Sequence, residues 1–153
     1  MSRDASSILV TIAAGAAIAG LATALACGSA DEWTAEEVAN AEHMIASLQA
    51  DRRAAEIENL DEPGPEDAKE AEVALEYREQ ALREARQVRD EVLAKAHPDL
   101  PVHFRDEHQR SLELFIEAHD AGDDGLEREA LRLRERFGGW YVAHQREIRI
   151  PQL

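Results

Sequence analysis

The sequence predicts an all-α fold: an antiparallel up-down-up-down four-helix bundle, preceded by an N-terminal hydrophobic signal or anchor helix. Three observations predict it. Apolar residues recur at three- and four-residue intervals in four successive stretches, the mark of helices with one buried face. Most of the five prolines and eight glycines fall where those stretches begin or end. Ala, Glu, Leu and Arg dominate and aromatics make up only 5% of the 153 residues, which suits long helices, while no alternating strand pattern occurs.

The first element is residues 8–26, ILVTIAAGAAIAGLATALA, nineteen residues without a charge. As a helix it measures about 28 Å, close to the thickness of a bilayer core. Arg3 and Asp4 precede it and Asp31, Glu32, Glu36 and Glu37 follow, flanking charges that favour the N-terminus inside and the remainder outside. Its richness in Ala and Gly fits a signal-peptide core better than a strong membrane span. Residues 28–33 then form a tether.

Helix 1 is expected at about 34–60. Thr34-Ala35-Glu36-Glu37 is a capping box, in which the Thr hydroxyl and the Glu carboxylate each satisfy the other's orphan N–H. Val38, Ala41, Ile45 and Leu48 follow at helical spacing. Asp61-Glu62-Pro63-Gly64-Pro65 breaks the chain, and Pro65 suits the first position of helix 2. Helix 2 is expected over 65–96, with Ala74, Ala81, Ala85, Val88 and Val92 as a stripe of small residues that permits close packing.

His97-Pro98 ends helix 2, because a residue before proline avoids helical geometry. Helix 3 is expected over 100–121 with Phe104, His108, Leu112, Phe115 and His119 on one face, closed by Ala121-Gly122. Asp124 with Glu127 caps helix 4, expected over 124–149. Its face comprises Leu126, Ala130, Leu133, Phe137, Trp140, His144 and Ile148. Short connections make neighbouring helices antiparallel.

Charge narrows the function. With 32 acids against 17 bases the formal net charge is −15. Lys69 and Lys95 are the only lysines and no basic patch occurs, so a nucleic-acid partner is not expected. Such an excess of acid with so little Lys suits either a solvated surface laced with Arg ion pairs or a salt-rich habitat. The single cysteine, Cys27, cannot form an internal disulfide.

The residues able to carry chemistry are histidines. Counting outward from the 122–123 turn places His103 level with about residue 142 and His108 level with about 137. His103, Glu107, His108 and His144 are therefore candidate metal ligands at one end of the bundle, with Glu147, Asp90, Glu91, Glu36 and Glu37 within reach by topology. Histidines and carboxylates from several helices are how bundles hold a transition metal. Against this, His103 and His108 are five residues apart, which on a regular α-helix turns them about 140° from each other. The other reading is structural histidines, each with a hydrogen bond, or a pH-responsive cluster. Gly138-Gly139 beside Trp140 and Tyr141 marks a kink, a close helix contact or a pocket with the two aromatics as walls. No catalytic set stands out: no Cys falls within the bundle, and Ser47 and Ser111 have no evident His–acid partner.

Two resemblances add to this. Ala24-Leu25-Ala26-Cys27, followed by Gly28-Ser29, resembles the lipobox of bacterial lipoproteins, with Ala24 where that family usually has Leu. The resemblance implies cleavage before Cys27 and its lipidation. A retained transmembrane helix and an ordinary cleaved signal peptide remain the alternatives. The stretch His97-Pro98-Asp99-Leu100, His103, Glu107-His108 and Trp140-Tyr141-Val142-Ala143-His144 resembles the C-terminal half of hemerythrin-like four-helix bundles over about fifty residues. It departs from them in the His103–His108 spacing, in having Ala85 and Arg89 near the place of a His-x-x-x-Glu, and in Arg149 where an acid is usual. It implies the same bundle in degenerate form and not a di-iron oxygen carrier.

The expected protein is thus a membrane-tethered extracytoplasmic helical module, periplasmic or extracellular, non-enzymatic, acting on another envelope protein. The alternatives are a metal- or cofactor-binding bundle, and a small accessory subunit of a membrane complex with residues 8–26 retained.

Overall fold

In the computed structural model, residues 32–58 and 67–151 are described. The hydrophobic segment at 8–26, Cys27 with its lipobox, and the Pro-Gly-Pro break lie outside the described residues. Every regular element among the described residues is helical: α1 (Ala35–Glu58), α2 (Asp67–Gln87), α3 (Asp90–Ala96), α4 (Leu100–His103), a π-helical turn (Phe104–Gln109), α5 (Arg110–Ala121) and α6 (Asp124–His144). None of them is long and apolar enough to cross a membrane. They belong to one unit, Trp33–Leu153.

The capping box forms. Thr34 Oγ1 accepts from the Glu37 N–H at 3.2 Å and Glu37 Oε2 accepts from the Thr34 N–H at 2.8 Å. Lys95 Nζ reaches the same carboxylate at 2.7 Å, and it and the Thr34 N–H hold that carboxyl below the usual range. α1 runs antiparallel to α2, since Asn40 meets Gln87, His43 meets Glu84 and Ser47 meets Ala81. The expected stripe on α2 is inside: Ala74, Ala81 and Ala85 are fully buried. Without side-chain bulk along that line the two backbones approach closely.

The buried face of α1 differs from the expected one. Ala41, Met44, Ala50 and Ala54 are buried, and so are Ser47 and Asp51, whereas Ile45 and Leu48 are only half-buried. The polar pair is taken inside because each finds a partner there. Ser47 donates to the Ala81 carbonyl at 2.7 Å and Asp51 accepts from Arg134 Nε at 2.9 Å. Arg78 lies in the α2 stripe in the same manner. It grips the Glu58 carboxylate with both terminal nitrogens and stacks 3.7 Å above the Phe115 ring.

Helix 2 is not continuous to residue 96. Val88 and Arg89 leave helical geometry, Arg89 at φ −89° and ψ 142°. No proline or glycine dictates the break; tertiary contacts do. The Asn40 amide donates to the Gln87 carbonyl and accepts from the Arg89 N–H, both at 2.8 Å. Arg105 donates to the Ala85 carbonyl at 2.9 Å and to the Val88 carbonyl, and holds Asp90 at 2.9 Å. The carbonyls orphaned at the end of α2 are thereby satisfied from outside the helix.

α4, the π turn and α5 run on without leaving helical torsion angles. Gly122 ends the run in the left-handed region at φ 63°, and the Asp123 N–H closes back on the Ala118 carbonyl at 3.0 Å. The cap of α6 is Asp123, one residue before the expected Asp124: its Oδ1 accepts from Gly125 at 2.7 Å and Leu126 at 3.2 Å. α6 ends at His144 rather than 149. The chain then turns, and the Arg149 N–H donates to the Ala96 carbonyl at 3.0 Å. Phe104, Leu112 and Phe137 join Met44, Leu93 and Leu100 in the main core, while Phe115, Leu114 and Ala130 form a second one. His119, expected on the apolar face of helix 3, is exposed.

Candidate functional site

The π turn decides where the histidines go. Its backbone closes on the fifth residue rather than the fourth, so residues five apart share a face. The separation of about 140° expected between His103 and His108 on a regular helix is therefore removed, and both imidazoles meet α6. His103 stacks on Trp140 with ring centroids 4.2 Å apart, and His108 lies 5.1 Å from Phe137 and 5.0 Å from Phe104. The register is close to the one counted from the turn.

His108 is the deepest polar side chain of the group, only 1% exposed. Its Nε2 lies 2.9 Å from Ser47 Oγ. Ser47 spends its one proton on the Ala81 carbonyl, so the ring nitrogen facing it is the donor. Burial pushes His108 down to about 4, with Arg134 acting in the same sense and Asp51 against it, which leaves the ring neutral near pH 7. Ser47 thus does have a histidine partner, with Asp51 close enough to act on the ring, contrary to the sequence reading. The trio has the residue types of a nucleophilic triad but not its wiring. A nitrogen that donates to the serine cannot take the serine's proton, and Ser47 is fully buried.

Around the junction of α3 and α4 the imidazoles gather on one indole. His144 stacks on Trp140 at 4.8 Å, and His97 meets Trp140 edge-on at 5.3 Å and His144 at 5.6 Å. His103 Nδ1 faces Glu107 Oε2 at 2.9 Å, and the other oxygen of that buried carboxylate meets Arg136 at 3.1 Å. A carboxylate only accepts, so Nδ1 of His103 is the donor and Nε2 keeps a lone pair when the ring is neutral. The same holds for His144, whose Nδ1 donates to the Trp140 carbonyl at 2.9 Å. His97 is the reverse: Nδ1 accepts from the Asp99 N–H at 3.2 Å, which places its proton on Nε2, 3.5 Å from Glu147 Oε2.

Of the four candidate metal ligands, the structure unites His103 with Glu107 and puts His144 on the same indole, while His108 sits one layer deeper on Ser47. Among the described residues no three His, Cys, Asp or Glu side chains gather so as to hold a metal ion. The residues as placed do not fit a di-iron centre of the hemerythrin kind. His97 was missed as a member of the cluster. It reads in sequence as a helix stop before Pro98, and only the packing of the end of α6 and the turn after it brings Trp140, His144 and Glu147 to it.

Asp90, Glu36 and Glu37 are spent on ion pairs with Arg105, Arg89 and Lys95. Tyr141 packs on Phe137 at 5.8 Å, and burial pushes its phenol up. Trp140 and Tyr141 are therefore half-buried packing residues. α6 runs unbroken through Gly138 and Gly139. Both are exposed, and a Cβ added at either meets nothing within 4 Å. An open groove of about 430 Å³ lies elsewhere, between α2 and α5, over Leu82 and Ile116.

No family model, curated protein or solved structure matches the chain.

Proposed function

We propose that this chain is a membrane-tethered, extracytoplasmic interaction module whose helices pack as an antiparallel four-helix bundle and whose α4–α6 face contacts another envelope protein. Attachment is through Cys27, lipidated after cleavage, or through residues 8–26 retained as a spanning helix, with residues 28–33 as the tether. The observation that supports the contact face is the exposed line of Gly138, Gly139 and Val142, which share one side of α6 at i, i+1 and i+4 spacing. Val102 on α4 is 61% exposed and Val142 on α6 is 40% exposed, and open Gly138-Gly139 lies on the same helix. Exposed apolar side chains mark interaction surfaces where they cluster. Two glycines within a helix cost about 1 kcal/mol each, a cost that no internal packing of α6 requires.

Site-specific photocrosslinking in native membranes tests it. A benzophenone side chain at position 102 or 142 of the full chain should trap one discrete partner, and one at exposed Glu72 should not. Equal trapping from all three positions, or none from any, contradicts the reading.

A second reading, a metal- or cofactor-binding bundle, draws on the Nε2 lone pairs that His103 and His144 keep. Elemental analysis of the purified chain decides it: less than about a tenth of an equivalent of any transition metal, with no stabilisation on adding one, removes this reading. An accessory-subunit role is the form of the leading proposal in which residues 8–26 are retained and the partner is a membrane complex.

A further inference from the structure

We draw no further inference here: the strongest candidate, the shallow groove between α2 and α5 floored by Leu82 and Ile116 and rimmed by Glu117 and Asp120, lies in a chain whose 32 acids make a carboxylate rim unspecific, and nothing in the structure shows what covers it.

Discussion

His108 sets a proton-linked term in the stability of this domain. Its ring resists protonation in the folded state until about pH 4, whereas an unfolded histidine takes a proton near 6.5. Between those values the unfolded chain binds more protons, so stability is full above about pH 6.5 and falls as the pH drops towards 4. The swing is on the order of 3 kcal/mol. Gln at this position can still donate to Ser47 and cannot titrate. Urea unfolding of the native chain and His108→Gln across pH 4–7 should show a difference that narrows towards acid; parallel curves would contradict the assignment. Ser47→Ala strands both the His108 N–H and a buried carbonyl contact, and is expected to lose about 1–3 kcal/mol in the same assay at pH 7. His108 was legible on the apolar face of its helix, but the burial of Ser47 and Asp51 was not. A Ser and an Asp on a helix look solvent-facing until the partner helix supplies His108 and Arg134.

At the scale of elements, the chain's local chemistry was readable wherever local chemistry decides. The Thr34–Glu37 box, the Gly122 stop and the alanine stripe of α2 all form as composition and spacing dictate. Two elements depend on distant residues and were not readable. The break after Gln87 contains no proline or glycine and exists because Asn40 and Arg105 satisfy its backbone. The π turn has no sequence signature, and the same turn carries Arg105 to that break. Arg105→Ala should therefore cost about 1–3 kcal/mol and lower hydrogen-exchange protection at the end of α2 and the start of α3. An unchanged exchange pattern there would contradict the assignment of Arg105 as the clasp. Gly138→Ala and Gly139→Ala go the other way. With free space at each Cβ, each should raise stability by about 0.5–1 kcal/mol, read as a higher Tm. The double variant should also lose crosslinking from position 142 if a partner backbone approaches there; a partner trapped as before would separate the glycines from the contact.

For the whole molecule, the described helices form an acidic body in which three buried charges, Arg78, Asp51 and Glu107, each meet a more exposed partner, Glu58, Arg134 and Arg136. Such pairs contribute little net stability against apolar replacements, but removing one partner leaves a buried charge exposed to the full desolvation cost. The all-α class was legible because periodicity and chain breaks report it directly. Action was not, because both the proposed contact at the α4–α6 face and the proposed attachment through residues 8–26 turn on molecules other than this chain. That attachment is the claim on which the rest stands. The most direct measurement is the intact mass of the native protein after separating membrane from soluble fractions. The account predicts the chain in the membrane fraction, either shortened by twenty-six residues with acyl chains on Cys27, or full-length from Met1 or Ser2. An unmodified full-length chain found in the soluble fraction would contradict it.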